Sequence, residues 1–216
     1  MKNISVVIPA YNEEGNIEEL STRIKDAFNE LEDYDYKIIF VENGSTDNTF
    51  EKLRSLQKLN DRIQIVKLSR NFKMDGGIAA GIEHVDTDAA IIMTANLQDD
   101  PAIIPDFIKL WEEGYDHVYG IVKSRPGKSP LRRLNSKFFY FLINKLTNGQ
   151  IPKGVSDYRL VDKKVIKAVR SLGEFNRFYR GFFSWVGFKS IGLEFERNTR
   201  FSGKSHASTL PVLGFA

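Results

Sequence analysis

A run of oxygen-bearing side chains follows a short apolar segment near the middle of the chain. Residues 89–93 are apolar and partly β-branched, and residues 94–101 read TANLQDDP. Such a segment is typical of a buried parallel strand, and a proline suits the first turn of the helix that follows. Ligands of open α/β sheets bind beyond the carboxyl ends of the strands. The hydroxyl, amide and carboxylate oxygens here are therefore candidates for binding a ligand, and an ordinary polar turn is the alternative.

The elements around this run alternate between strand and helix. Apolar strand-like segments are predicted at residues 4–9, 36–41, 63–68, 89–93 and 117–122. Amphipathic helical patterns begin near residues 17, 48, 78 and 101 and separate the strands. This alternation predicts an α/β fold with a mostly parallel central sheet flanked by helices over residues 1–122.

The chain's composition is that of a water-soluble globular fold with an unusual distribution of charge. Its 216 residues are 42% hydrophobic and contain no cysteine, which excludes disulfides and thiolate metal sites. Of its 28 acidic residues, 23 lie in residues 1–120, whereas 19 of its 31 basic residues lie in residues 121–216. The second half is therefore expected to face an anionic partner.

Basic and aromatic residues are mixed in two segments of that second half. Residues 123–137 carry six basic and no acidic side chains and lead into the aromatic run 138–143, and residues 175–185 repeat the mixture. We interpret them as basic amphipathic helices lying on an anionic membrane surface. Core helices with a solvated basic face are the alternative. A nucleic-acid partner is not expected, because no nucleic-acid-binding motif accompanies the basic residues. The predicted organisation is one continuous domain, with an α/β half at 1–122 and a basic, membrane-facing half at 123–216.

Several stretches together resemble a known family, in their order and spacing along the chain. They are VVIPAYNEE at 6–14, ENGSTD at 42–47, LSRNF at 68–72, NLQD at 96–99, SDYRL at 156–160 and RFSGKS at 200–205. The set resembles the family 2 glycosyltransferases, which have the GT-A fold. Within that family it resembles the bacterial polyisoprenyl-phosphate (bactoprenol) glycosyltransferases and the related dolichol-phosphate mannosyltransferase-like enzymes.

The resemblance implies an inverting glycosyltransferase that moves a hexose from a nucleotide sugar to a polyisoprenyl phosphate. It implies that residues 1–122 form the nucleotide-sugar-binding half and residues 123–216 the acceptor-binding half. A UDP-hexose is favoured because residues 68–72 resemble the bactoprenol glucosyltransferase branch. The expected location is the cytoplasmic face of the membrane, peripheral as this chain stands. Membrane helices usually follow in this branch, and the chain stops at Ala216 without them. Two alternatives stay open for the function: a soluble or saccharide acceptor, and a nucleotide-sugar-binding protein with little or no catalysis. A homo-oligomer is also possible.

Site residues carried over from the resemblance fall into three groups. The donor-binding residues are Pro9, Tyr11, Asn12, Glu13, Glu42, Asn43, Ser45, Arg70, Asn71, Asp75, Gly76, Thr94, Ala95 and Asn96. The phosphate- and acceptor-binding residues are Arg125, Ser129, Arg132, Arg133, Tyr158, Arg200, Lys204, Ser205 and His206. The catalytic residues are Asp157, Asp99 and Arg159. Guanidinium groups suit the phosphate contacts because their paired N–H donors match phosphate oxygens.

The main departure from the family pattern concerns the metal. The family usually has Asp-x-Asp where this chain has Thr94, Ala95 and Asn96, so a Mg²⁺ or Mn²⁺ ion is expected at Asn96, Gln98 and Asp99 but bound more weakly. Asn43 replaces the second acid of the usual Asp-Asp pair, which leaves the donor base preference open.

Asp157 is expected to orient the acceptor or a metal. A phosphate monoester has a second pKa of about 6, so the acceptor oxygen is largely ionised at neutral pH and needs no strong base. A structural ion pair with Arg159 is the alternative role for Asp157.

Overall fold

The computed structural model describes residues 1–123, 154–173 and 178–202. Seven strands form one sheet in the order β3-β2-β1-β4-β6-β5-β7. Their bounds are β1 Lys2–Ala10, β2 Tyr34–Glu42, β3 Ile63–Lys67, β4 Ala89–Ile92, β5 His117–Val122, β6 Val155–Asp162 and β7 Ser190–Phe195. Strands β1 to β4 are parallel to one another, whereas β6 runs antiparallel to both of its neighbours, β4 and β5.

Helices cover both faces of the sheet. The described helices are α1 Ile17–Asn29, α2 Thr49–Leu59, α3 Lys73–Glu83, a 3₁₀ turn at Pro101–Ile103, α4 Ile104–Glu112, α5 Lys163–Arg170 and α6 Tyr179–Trp185. Alternate residues of β1 enter opposite cores: Ile4, Val6 and Ile8 pack with α1 and α4, and Val7 packs with α3 and α5. Burial on both faces explains why the central strands are continuous apolar runs.

The predicted α/β fold with a mostly parallel sheet is confirmed, and its five predicted strands are present. Two further strands, β6 and β7, were not predicted, although β7 reads SIGLEF and alternates apolar with polar or small residues as a strand does. Strand β6 reads VSDYRLVD, and its charged residues mask its burial. The second half therefore contributes to the same sheet as the first. Of the two predicted basic amphipathic segments, residues 124–143 and 175–177 lie outside the described part of the chain. In the described part of the second segment, helix α6 buries Tyr179 and Phe183 in the core, as the alternative of a core helix predicts.

Helix α3 begins at Lys73, five residues before the predicted start. The reason is long-range: the Asn43 side chain accepts from the Phe72 N–H and donates to the Lys73 carbonyl. These two bonds fix the first turn from a different strand, so no local pattern reveals it.

The carboxyl ends of β1 and β4 lie side by side, although the chain places β2 and β3 between them. From β1 the chain moves outward to β2 and β3, and then returns to the other side of β1 as β4. Such a reversal of strand order opens a crevice at the carboxyl edge, where open α/β sheets bind ligands. The TANLQDDP run begins two residues after β4 ends and therefore lies at this crevice.

Within residues 1–123, 154–173 and 178–202, no helix is both long enough and apolar enough to cross a bilayer.

Candidate functional site

Two loops at the carboxyl edge are bound to each other by polar side chains. Asn12, after β1, donates from its backbone N–H to Ser45 Oγ at 3.2 Å and accepts the Thr46 N–H at 2.8 Å. The Glu13 N–H donates to Thr49 Oγ1 at 2.9 Å. These contacts align the predicted donor-binding residues of β1 and β2 in one continuous wall.

Glu13 carries a buried carboxylate within this wall. Its side chain is only 9% exposed, and Oε1 accepts from Arg200 at 3.0 Å. Its second oxygen accepts from Asn16. Arg200, predicted to contact phosphate, therefore brings the end of the described chain onto the β1 loop.

The loop after β2 packs closely against residues 70–73. Glu42 is buried and accepts the Ser45 N–H, whereas both ends of the Asn43 amide bind residues 72 and 73. Gly44 has a φ of +69°, and an added Cβ would lie 2.6 Å from the Arg70 backbone. Glycine is required here for both reasons.

Arg70 and the start of α3 border the same edge. The Arg70 guanidinium lies 4.0 Å from the ring centroid of Phe72, an exposed cation–π contact. Asn71 accepts the Lys73 N–H at 2.7 Å, and Asp75 accepts the Tyr179 N–H at 3.0 Å. Gly76 packs against the Phe72 side chain. Two further predicted donor-binding residues at this edge are the buried Pro9 and the half-buried Tyr11.

The TANLQDDP loop contains a buried ion pair. Asp99 is fully buried, and its Oδ1 accepts from Arg197 Nη2 at 2.8 Å and from Arg197 Nε at 2.9 Å. Asp99 Oδ2 accepts from Thr94 Oγ1 at 2.7 Å. Both carboxylate oxygens of this predicted catalytic and metal-binding residue are therefore engaged by protein groups.

The oxygens that face a possible cation in this loop are neutral amides. Asn96 Oδ1 accepts the Gln98 N–H at 3.1 Å and lies 2.9 Å from Thr94 Oγ1, and Asn96 Nδ2 donates to Gln98 Oε1 at 3.1 Å. Ala95 is buried beneath them. Among the described residues, no three Asp, Glu, His or Cys side chains form a metal-ligand group. The loop fits a hard cation through the Asn96 and Gln98 oxygens if the ligand supplies the negative charge.

Strand β6 places the predicted acceptor residues in three different environments. Arg159 pairs with Ile92 of β4, so the same register brings Asp157 level with Thr94 at the carboxyl edge. Asp157 is half-buried there. Tyr158 is fully buried, and its hydroxyl donates to the Asp100 carbonyl at 3.0 Å; burial raises the pKa of Tyr158 well above its usual value.

Arg159 points into the core and is 1% exposed. Its Nη2 donates to the Ser156 carbonyl at 2.7 Å, and its guanidinium lies 5.0 Å from the Phe183 ring centroid. His117 packs against the same ring, and burial, together with the Arg159 charge, holds the pKa of His117 well below 6.5. The buried positions of Tyr158 and Arg159 favour a structural role for both side chains in β6. Their roles in binding substrate stay predictions.

The remaining predicted phosphate- and acceptor-binding residues lie outside the described part of the chain: Arg125, Ser129, Arg132, Arg133, Lys204, Ser205 and His206.

Sequence reasoning missed the contribution of residues 197 and 198. Besides the Arg197–Asp99 pair, Asn198 donates from Nδ2 to Asp100 Oδ2 at 2.9 Å and from its N–H to the Gln98 carbonyl at 3.1 Å. The available signal was the spacing Arg-x-x-Arg at 197 and 200, just before the RFSGKS stretch. It shows that the segment carries two guanidinium groups but not which acids they bind.

Comparison with known proteins places this arrangement in a family. The family model described as "Glycosyl transferase family 2" matches residues 5–170. An uncharacterized glycosyltransferase of Synechocystis sp. is 38% identical over 99% of this chain and 67% of its own length. The bactoprenol glucosyl transferase of Shigella phage SfV is 33% identical over 94% of this chain and 66% of its own length. The chain thus spans about two thirds of the length of these curated relatives.

Solved structures share the fold. Glucosyl-3-phosphoglycerate synthase from Mycobacterium tuberculosis, crystallised with Mn²⁺ and UDP, has a TM-score of 0.62 at 18% identity, over 94% of this chain and 73% of that chain. The mannosyltransferase PcManGT from Pyrobaculum calidifontis, with GDP-Man and Mn²⁺, has a TM-score of 0.59 at 17% identity, over 88% of this chain and 54% of that chain. With its GT-A fold and its match to the family model over residues 5–170, the chain belongs to glycosyl transferase family 2 and is a glycosyltransferase.

Proposed function

We propose that this glycosyltransferase moves a hexose from a UDP-sugar to a polyisoprenyl phosphate at a membrane surface, with inversion at the anomeric carbon. The observation that carries the proposal is the crevice between β1 and β4, where Asp157 of β6 lies level with Thr94. One side of the crevice carries the predicted donor residues and the other carries a carboxylate for the acceptor. The name of the phage relative supports the lipid acceptor.

Donor binding is assigned to the wall formed by the β1 and β2 loops. The bonds from Asn12 to the 45–46 segment and from Glu13 to Thr49 hold this wall before any donor arrives. A wall that is already ordered lowers the entropy lost on binding and fixes the sugar relative to the acceptor. UDP is proposed as the nucleotide because residues 68–72 resemble the bactoprenol glucosyltransferase branch.

The transfer step needs no strong base. An ionised phosphate oxygen of the acceptor attacks the anomeric carbon from the face opposite the diphosphate. A new carbon–oxygen bond forms, the bond to the donor's β-phosphate oxygen breaks, and UDP leaves with the bonding electron pair. Asp157 orients the acceptor, since a phosphate with a second pKa of about 6 brings an already ionised nucleophile.

A divalent cation fits this site if the donor diphosphate supplies most of the negative charge around it. Asn96 and Gln98 would hold it through neutral oxygens, and when bound it would neutralise charge that grows on the departing diphosphate. The two carboxylate oxygens of Asp99 are engaged by Arg197 and Thr94. The donor diphosphate therefore has to supply most of the negative charge around the cation, which predicts tight cation binding only when nucleotide is present.

The membrane location rests on the acceptor and on the charge distribution. A polyisoprenyl phosphate resides in a bilayer, and 19 of the 31 basic residues lie in residues 121–216. Basic residues near an anionic leaflet are attracted to it by about 1 kcal/mol each. We assign the enzyme to the cytoplasmic leaflet, where UDP-sugars are available to a cytoplasmic domain.

Transfer from radiolabelled UDP-hexoses to polyprenyl phosphate in detergent micelles tests the proposal. We expect labelled lipid with wild-type protein and Mn²⁺ or Mg²⁺, and much less with Asp157→Asn. Asp116→Asn, on the amino side of the sheet, is the matched control and should keep full transfer.

Each alternative gives a distinct result in the same assay. Donor binding without transfer to any lipid phosphate would contradict the lipid acceptor, and transfer to a soluble sugar or phosphate would replace it. Undiminished activity in excess chelator would exclude a role for the cation in transfer. Wild-type transfer by the Asp157→Asn variant would exclude a role for Asp157.

A further inference from the structure

The Thr94 hydroxyl faces two acceptors but has only one proton. Thr94 Oγ1 lies 2.7 Å from Asp99 Oδ2 and 2.9 Å from Asn96 Oδ1. A hydroxyl can fully donate to one of these oxygens at a time. The choice decides whether Asn96 Oδ1 keeps its lone pairs for a ligand.

Arg197 makes Asp99 the better acceptor. The guanidinium donates twice to Asp99 Oδ1, and this pairing allows a carboxylate with an exposure of 0% to remain charged. Hydrogen bonds to a charged acceptor are roughly twice as strong as those between neutral groups. The Thr94 proton therefore points to Asp99, and Asn96 Oδ1 retains the Gln98 N–H as its full donor.

We propose that Arg197 is a positioning residue that acts through Asp99 and Thr94 to keep Asn96 Oδ1 free for the cation of the bound donor. The inference rests on the proposed function, because it assigns the freed oxygen to the cation that accompanies UDP. The effect of Arg197 passes along three side-chain contacts: Arg197 with Asp99, Asp99 with Thr94, and Thr94 with Asn96.

The neighbouring segment supports this assignment. The Asn198 N–H donates to the Gln98 carbonyl, and its side chain donates to Asp100, so residues 197 and 198 hold both ends of the 98–100 turn. Arg197 is 21% exposed in its side chain, whereas its partner Asp99 is fully buried. The pair is thus oriented towards the interior of the loop, where the Thr94 hydroxyl lies.

A neutral version of the ion pair tests the proposal without leaving a buried charge. In Arg197→Gln with Asp99→Asn, an amide replaces each charged group and the pair can still hydrogen-bond. The introduced amide at position 99 can donate its N–H to Thr94 Oγ1, which turns the hydroxyl proton towards Asn96. We expect Mn²⁺ binding in the presence of UDP, followed by the electron paramagnetic resonance signal of free Mn²⁺, to weaken 10- to 100-fold, the range typical for partners of metal ligands.

Adding Thr94→Val separates this effect from a general loss of order. Valine has the shape of threonine but no hydroxyl, so nothing in that position competes for Asn96 Oδ1. In the triple variant we expect Mn²⁺ affinity with UDP to recover about tenfold relative to the double variant. The matched control is Arg62→Gln with Asp35→Asn, a surface ion pair of the same type with side chains 43% and 44% exposed, which should bind as wild type does.

The outcomes distinguish the two proposals. If the double variant binds Mn²⁺ and UDP as tightly as wild type, or if Thr94→Val does not restore its lost affinity, the role of Arg197 is wrong while the proposed function stands. If wild-type protein binds no Mn²⁺ with UDP, both the cation in the proposed function and this inference are wrong.

Discussion

Replacing Gly44 by alanine should destabilise the protein and weaken donor binding together. Two separate costs apply at this position. A φ of +69° costs an alanine about 1–2 kcal/mol, because its Cβ approaches the following carbonyl oxygen. The added Cβ would also lie 2.6 Å from the Cα and carbonyl carbon of Arg70, and such overpacking costs about 1–3 kcal/mol.

Two other glycines separate these costs. Gly114 has a φ of +90°, and the nearest atom to an added Cβ is the flexible end of Lys189 at 3.9 Å, so Gly114→Ala isolates the backbone cost. No atom of the described residues lies within 4 Å of a Cβ added at Gly173, so Gly173→Ala should be neutral or stabilise by about 0.4–1 kcal/mol through the unfolded state. We therefore expect Gly44→Ala to lose about 2–5 kcal/mol of unfolding free energy and Gly114→Ala about 1–2 kcal/mol.

Urea unfolding measures the free energy of unfolding of all three variants, and calorimetric titration with UDP measures donor binding. Only Gly44→Ala should weaken UDP binding, because relief of its clash moves Arg70 and Asn71 away from Asn43. Equal stability of Gly44→Ala and Gly114→Ala would refute the close approach of the two loops. Unchanged UDP affinity in a destabilised Gly44→Ala variant would refute the placement of the donor at these loops.

Three further predictions concern side chains of the sheet edge and its core. Asn96→Asp should tighten Mn²⁺ binding with UDP by about tenfold, since it adds one charge to an oxygen already in place; unchanged affinity would place the cation elsewhere. His117→Phe should raise the free energy of unfolding by about 1 kcal/mol at neutral pH, because neither ring nitrogen of His117 has a hydrogen-bond partner among the described residues. Tyr158→Phe should lose about 1 kcal/mol of stability, from the bond to the Asp100 carbonyl, while transfer stays within about threefold; a larger loss of transfer would restore its role towards the acceptor.

The acid dependence of stability gives His117 a second test. The folded-state pKa of His117 lies well below 6.5, so above pH 6.5 the ring is neutral in both states and its protonation costs no stability. Below pH 6.5 the unfolded chain takes up a proton that the folded protein does not, and stability falls by up to about 1.4 kcal/mol per pH unit. His117→Phe should reduce the slope of unfolding free energy against pH by that amount in this range, and an unchanged slope would contradict the buried neutral ring.

The candidate site was partly readable from sequence because its polar residues follow apolar strands directly. The TANLQDDP and ENGSTD stretches each lie where a predicted strand ends, and both are found at the carboxyl edge. The core into which each side chain of β6 points could not be predicted from the sequence. Tyr158 and Arg159 are neighbours in sequence, yet one side chain enters the core beside Phe107 and the other the core beside Phe183.

The sequence by itself determined the fold class and the edge of the sheet that carries the loops. Strands buried on both faces must be continuous apolar runs, and parallel order brings their carboxyl ends to one side, so local pattern is sufficient for both. The tertiary structure decided that β6 enters between β4 and β5, and that Arg197 neutralises Asp99 across 98 residues. An ion pair of this kind depends on the free energy of burying a charge beside its partner. That free energy depends on contact between two distant segments, so local sequence does not predict it.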